Sequence, residues 1–390
     1  MLAGDLKTAL LVLCSAELAR RARLLALAVL ALALTGCGRV TPATEGPPGS
    51  RATIEVVARR LETPWALAFA PDGRLFVTER PGRIRLIAGG RLQRKPVAVL
   101  KVVERGESGL MGMALDPHFE DNGFLYVCYS ADIGGGRGVN RLSRLTFHDG
   151  AAAGELILLD RLPAAEMHDG CRVKFGPDGK LYMSLGDAGV PELAQRLDSL
   201  AGKILRVNAD GSVPADNPFA GSPVYSFGHR NPQGLAWDRD GRMIAAEHGP
   251  TGRDEINLIR PGANYGWPRV RGKAGDSRYV DPLIESGDDT WAPSGIAIHD
   301  GDLFVAGLHG QQLYRMTIGR DLELTRAASL LDQTYGRLRD VVVGPEGALY
   351  VATSNRDGYT TDIGDDDDRI LRVTRPDDVA IRGAAAPPRE

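Results

Sequence analysis

The sequence of 390 residues is short of the features that would settle its class at a glance. No long run of like charge marks a nucleic-acid surface, so no nucleic-acid partner is expected. No Cys/His spacing suggests zinc or haem. No long helical pattern is present, and Pro191–Leu200 is the best short helical stretch. The one apolar run, Leu24 to Leu34, is short for a membrane span of about 20 residues. Only four cysteines occur, at 14, 37, 128 and 171. Cys128 falls in an expected strand and Cys171 just before another. They could pair in an oxidising compartment, but two separate buried thiols are the expectation, because sequence alone does not place them within bridging distance.

What is abundant is glycine, at 48 residues, and six of them recur in one phrase. A tight turn feeding an apolar strand appears at Pro71-Asp72-Gly73-Arg74-Leu75-Phe76-Val77 and at Asn122-Gly123-Phe124-Leu125-Tyr126-Val127. It returns at Pro177–Met183, Asp240–Ile244, Asp300–Val305 and Pro345–Val351. Asp-Gly and Asn-Gly suit such turns because glycine takes positive φ without steric cost. Successive copies are 50, 56, 62, 60 and 46 residues apart. Repeats of roughly 40–50 residues, each a small antiparallel sheet, indicate propeller blades, and longer gaps indicate insertions. The expectation is all-β: a six-bladed β-propeller of four-stranded antiparallel blades over residues 53–375. The N-terminal strand would close the ring against the C-terminal one. A repeat-free β-sandwich is the alternative.

The N-terminus reads differently. Arg20-Arg21-Ala22-Arg23 is a basic n-region, Leu24 to Leu34 an apolar h-region, and Leu34-Thr35-Gly36-Cys37 matches a bacterial lipobox. Residues 1–36 are expected to be a lipoprotein signal peptide, although 1–19 precede the basic cluster and suggest a start further along. Cys37 would be lipidated and residues 37–52 would form a flexible Pro-rich tether. The membrane would be met through that lipid anchor only, placing the protein at the periplasmic or extracellular face of a bacterial envelope. Residues 376–390 are expected to be a disordered tail. Net charge is −3, and −5 once residues 1–36 are set aside, which favours solubility and says little about partners.

Polar residues collect between the strands, where a rigid scaffold builds sites. The densest stretches are Gly106–Gly109, Met167–Arg172, Gly186–Gly189, Gly228–Gly234, Glu247–Glu255 and Gly336–Asp340. Arg230, Arg337 and Arg339 are permanently charged planar donors suited to carboxylates, so together with a histidine they suggest a polyanionic small ligand over the channel mouth. The plainer possibility is that each arginine pairs with a nearby acid, as Arg339 could with Asp340.

At these loops the chain resembles the glucose/sorbosone dehydrogenase family, sugar dehydrogenases that use pyrroloquinoline quinone (PQQ) on a six-bladed propeller. The likeness covers roughly 55–375. Its motifs are Thr63-Pro64-Trp65-Ala66-Leu67, Gly109-Leu110-Met111-Gly112, His168 with Gly170 and Arg172, and Leu200–Arg206. They continue with Gly228–Gly234, His248-Gly249-Pro250 with Asp254–Asn257, Asn264–Pro268 and Arg337–Asp340. The resemblance implies that His168 is the general base and Asp187 its supporting acid. It implies cofactor contacts at Glu107, Arg230, Asn231, Arg337 and Arg339. It further implies Ca2+ beside PQQ, held by carbonyls of Gly249 and Pro250 with Asp254 nearby, and a second Ca2+ on carbonyls of Ala263 and Tyr265. The implied reaction oxidises an aldose at C1 to a lactone, with electrons passed to an external acceptor.

Two positions depart from the family pattern. Met167 stands where an acid commonly flanks the base, and His309 where a lysine commonly binds the cofactor. His118, His148 and His299 read as turn histidines, and Asp365 to Asp368 as a solvated acidic turn. Alternatives to the dehydrogenase are a non-catalytic sugar- or protein-binding propeller and a Ca2+-dependent lactonase on the same fold.

Overall fold

In the computed structural model each of the six turn-strand phrases becomes the link between the first and second strands of a four-stranded antiparallel blade. The glycines of these turns, 73, 123, 179, 241, 301 and 347, all have φ between +64° and +85°. At Gly73, Gly179 and Gly301 a Cβ would meet nothing, so backbone conformation alone requires glycine there. The structure describes residues 53–134, 138–327 and 329–374. The expected leader, Cys37, the tether and the C-terminal tail lie outside the described residues.

The innermost strands are Pro64–Phe69, Leu110–Leu115, Val173–Phe175, Pro232–Trp237, Pro293–His299 and Leu338–Val343. Each packs beside the next, and Leu338–Val343 returns to Pro64–Phe69, so the six close a ring. The second strands, such as Leu75–Glu79, Leu181–Leu185 and Met243–Glu247, are buried along their whole length. Neighbouring blades cover both faces, which is why these strands are nearly continuously apolar. The outer strands face water on one side. Ala151–Leu162, the fourth strand of the second blade, is mostly exposed, and the sequence predicts no strand there. The same holds for Ile284–Glu285 and Leu324–Arg326. The helix expected over 191–200 is a single 3-10 turn, Pro191–Gln195.

Ring closure uses the two ends of the described chain. Thr53–Ala58 pairs antiparallel with Ile370–Thr374 as the outermost strand of the last blade. Arg59 pairs with Asp366 across the same seam. Asp368 accepts the amides of Thr63, Asn355 and Arg356 at 3.2, 2.5 and 3.2 Å, tying the start of the first blade to the last. The acidic run is therefore not a solvated turn, since Asp367 and Asp368 are buried and only Asp365 of the four is exposed. A loop crossing between blades needs acceptors for its amides, and these aspartates supply them.

Cys128 and Cys171 are joined in a disulfide, contrary to the expectation of two free thiols. They are 43 residues apart in sequence but lie on neighbouring blades with Cα atoms 6.2 Å apart. Gly112 permits the approach, for a Cβ there would sit 2.1 Å from the Cys171 carbonyl oxygen.

Candidate active site

The segment between Ala151–Leu162 and Val173–Phe175 carries His168, and it is held on several sides. Glu107 Oε2 accepts the His168 amide at 3.0 Å and the Asn231 side chain at 3.4 Å. Asn231 Oδ1 accepts the Gly170 amide at 3.1 Å. His168 has φ +59°, and its carbonyl oxygen lies where a Cβ on Gly186 would come within 1.8 Å, so only glycine fits opposite it. Asp187 is completely buried. Its Oδ1 lies 2.7 Å from His168 Nδ1 and accepts the Gly189 amide at 2.8 Å, while Oδ2 accepts the Trp267 indole at 2.8 Å. Burial opposes the Asp187 charge, yet the His168, Trp267 and Gly189 donors outweigh it and the pKa is lowered. An ionised Asp187 holds the proton on Nδ1 and leaves the Nε2 lone pair of a slightly exposed imidazole available as a base.

Lys203 fixes the segment that brings Asp187 in. Its ammonium donates to the carbonyls of Leu193, Ala194 and Ala201 at 2.9, 3.0 and 2.6 Å. Burial pushes its pKa down to about 7, with Asp198 acting the other way.

Arginines form the other end. Arg230 lies over the Trp267 ring, 5.4 Å from its centroid, and donates to the His248 carbonyl at 3.3 Å, while its buried Nε has no hydrogen-bond partner. Arg337 and Arg339 both donate to Asp357 Oδ2, at 2.9 and 3.2 Å. The pairing of Arg339 with Asp340 entertained from sequence does not occur: Asp340 faces Arg172 at 3.0 Å and accepts the Leu67 amide at 2.8 Å. One carboxylate thus serves two guanidiniums. Burial lowers the Arg339 pKa to about 10, Asp357 opposing this and Arg337 and Arg80 adding to it. Burial also drives His248 well below the ordinary imidazole value, helped by Arg230, Arg339, His168 and Arg337. The imidazole is therefore neutral, and its buried Nε2 has no partner.

A small cavity lined by Arg230, His248, Gly249, Pro250 and Trp267 joins this cluster to the expected cation carbonyls. Asp254 shapes the turn instead of facing the cavity. Its Oδ1 accepts the Gly249 amide at 2.8 Å, and its Oδ2 accepts those of Trp291 and Ala292 at 2.6 and 2.9 Å. The Ala263 carbonyl already accepts the Phe227 amide at 3.1 Å, and Tyr265 is buried, stacked 4.6 Å from His229. Beside it burial, reinforced by Glu247 and Glu285, raises Glu255 to about 8. Among the described residues no three His, Cys, Asp or Glu side chains are placed to hold a metal, so a cation at Gly249 and Pro250 would rest on main-chain carbonyls and on its ligand. His309 is exposed, next to Leu308, whose carbonyl accepts from Arg337 at 3.3 Å. Sequence reasoning did not single out His248, Asp357, Trp267 or Arg80. His248 and Trp267 were within reach, lying inside motifs already noted, whereas Asp357 carries no local signal.

The unpartnered Arg230 Nε and His248 Nε2, with two arginines sharing one acid, fit a planar polyanion. Comparison with known proteins agrees in kind. The family model described as Glucose / Sorbosone dehydrogenase matches residues 61–362. An aldose sugar dehydrogenase of Escherichia coli is 32% identical over 344 residues, covering 78% of this chain and 91% of that one. A quinoprotein glucose dehydrogenase B of Acinetobacter calcoaceticus is 36% identical over 261 residues, covering 58% of this chain and about half (54%) of its own length. The PQQ-bound structure of an aldose sugar dehydrogenase from Streptomyces coelicolor superposes with a TM-score of 0.77 at 37% identity, covering 84% of this chain and 99% of that one.

Proposed function

The chain belongs to the glucose/sorbosone dehydrogenase family, and from that premise we propose that it is a PQQ-dependent dehydrogenase oxidising the C1 hydroxyl of an aldose to a lactone. The observation that carries this reading is the pairing of a His168–Asp187 dyad, at 2.7 Å and with its acid fully buried, with an arginine cluster that has too few acids. When bound, the quinone supplies the hydride acceptor and Ca2+ beside it supplies Lewis-acid polarisation. His168 Nε2 takes the hydroxyl proton as the C1 hydride departs, and Asp187 stabilises the imidazolium. Arg230, Asn231, Arg337 and Arg339 would hold the cofactor's carboxylates and oxygens, and Trp267 braces both Asp187 and Arg230. Gly249 and Pro250 offer carbonyls of the kind Ca2+ accepts. An external acceptor would be needed to take the electrons.

The test is dye reduction by the purified protein with PQQ, Ca2+ and a panel of aldoses, using His168→Ala as control. PQQ-dependent turnover that the variant loses supports the reading. Turnover of a lactone without PQQ would replace it with the lactonase, and binding of sugar without any turnover or PQQ affinity would replace it with a binding propeller. We also propose that Cys37 carries a lipid that anchors the protein at the bacterial envelope. The Cys128–Cys171 disulfide supports an oxidising compartment. Mass analysis of the mature N-terminus decides it, with an unmodified Cys37 counting against the anchor.

A further inference from the structure

A second group of charges sits on the inner strands, apart from the His168 dyad. Arg172 and Lys174 are two residues apart at the start of Val173–Phe175, so in an extended strand they point the same way, while Val173 is buried on the other side. The groups that meet Arg172 come from inner strands around the ring. Its guanidinium lies over Trp65 of the first blade, 4.3 Å from the ring centroid. Its Nε donates to the Gln233 carbonyl of the fourth blade at 2.8 Å. Asp340 of the sixth blade has Oδ2 3.0 Å from Nη1. These partners place the cluster at the centre of the propeller.

Arg172 is 1% exposed, yet neither Nη1 nor Nη2 makes a well-directed hydrogen bond. Leaving such donors unanswered in the interior is costly. Asp340 does not answer them fully: its Oδ2 also accepts the Leu67 amide at 2.8 Å, and its Oδ1, packed against Gly295, is itself buried without a partner. Lys174 adds a second cation and is only partly buried. Its charge is opposed by burial and by Arg172 and favoured by Asp340.

We propose that Arg172 and Lys174 form a binding site for one small monovalent anion, of halide size, at the centre of the propeller. Arg172, Lys174 and Asp340 together carry one excess positive charge, which one monovalent anion neutralises and a divalent one would overshoot. The donors, two guanidinium nitrogens and an ammonium, outnumber the one unpartnered acceptor beside them, Asp340 Oδ1, so the surplus donors call for an occupant that accepts. Trp65 and Gln233 also contact Arg339, at 5.9 Å and 2.9 Å, so the anion would brace the floor beneath an arginine of the candidate active site.

The experiment uses the purified protein without added cofactor. Thermal unfolding is followed against sodium bromide, with sodium gluconate holding ionic strength constant, and crystals soaked in bromide are measured at the bromine edge. The expected result is a saturable rise in Tm, about 2 °C at ten times the half-saturating bromide, and anomalous density between Arg172 and Lys174. Lys174→Met, with its fold checked by circular dichroism, should lose the saturable rise. A wild-type Tm indifferent to the halide, or bromide density absent from this position, overturns the proposal. So does a halide response that Lys174→Met retains.

Discussion

The two ends of the candidate site are built on opposite principles. At the His168 end almost every polar atom has a partner: Glu107, Asn231, Asp187 and Trp267 answer one another through hydrogen bonds of 2.7 to 3.4 Å. At the arginine end Arg230 Nε and His248 Nε2 are buried without partners, and Asp357 alone balances Arg337 and Arg339. Preorganisation explains the first pattern, since a base must hold one tautomer and one orientation before substrate arrives. Ligand binding explains the second, since donors already satisfied by the protein have little to offer an incoming anion. The contrast makes distinct demands of substitutions at the two ends.

The largest expected effect is at His168, the proposed base. His168→Ala should lower kcat by about 10²–10⁴-fold while PQQ affinity, read by absorbance titration, changes little. An equal loss of affinity would mean that the two ends are not separable. A second effect exploits the one flaw of the ordered end. Asp169 is buried beside His168; Oδ1 accepts the Ala165 amide at 2.8 Å, but Oδ2 has no partner. Burial, its chief cause, raises the pKa from 3.8 to about 7. The folded state then binds more protons than the unfolded one between these values. Asp169's contribution to stability should be greatest below pH 4, fall as pH rises to about 7, and level off above, a loss on the order of 4 kcal/mol. Asp169→Asn should flatten that slope in urea midpoints measured from pH 5 to pH 8. An unchanged slope would assign the pH dependence to other groups.

The same contrast separates what sequence revealed from what it did not. Inner and second strands announce themselves, because burial on both faces demands apolar runs after a turn glycine, as at Leu75–Glu79 and Leu349–Thr353. The outer strand Ala151–Leu162 has no such demand and leaves no pattern. His168, Asp187, Arg230, Asn231, Arg337 and Arg339 were legible because chemistry restricts those residue types and the family motifs surround them. Their partners were not. Asp357 reaches Arg337 from 20 residues away, and Cys171 reaches Cys128 from a neighbouring blade, relations set by the ring and not by local spacing. The run Asp365 to Asp368 misled for the same reason: its composition suits a solvated turn, and only topology buries Asp368.

At the arginine end the expected loss is one of affinity. Arg337→Ala removes a charged donor and leaves Asp357 to Arg339, so the PQQ dissociation constant should rise by about 10- to 100-fold. At saturating PQQ, kcat should fall much less. If kcat falls instead and affinity holds, Arg337 belongs with the base and the division between the ends is drawn in the wrong place.

The smallest effect marks how far the arginine end extends. Tyr359 is 59% exposed, and the Arg337 guanidinium lies 5.3 Å from its ring centroid. Exposed cation–π contacts contribute about 0.5–1 kcal/mol, so a Tyr359→Leu change that only loosens Arg337 should weaken PQQ binding by about 2- to 5-fold. The ring has one covered face toward Arg337 and an open side toward solvent, so it could also touch the sugar directly. That case predicts a rise in KM for the aldose with PQQ affinity unchanged. Measuring both constants on the same variant separates them: a change in PQQ affinity alone makes Tyr359 a brace for an arginine, and a change in KM alone carries the substrate-facing rim out to this loop.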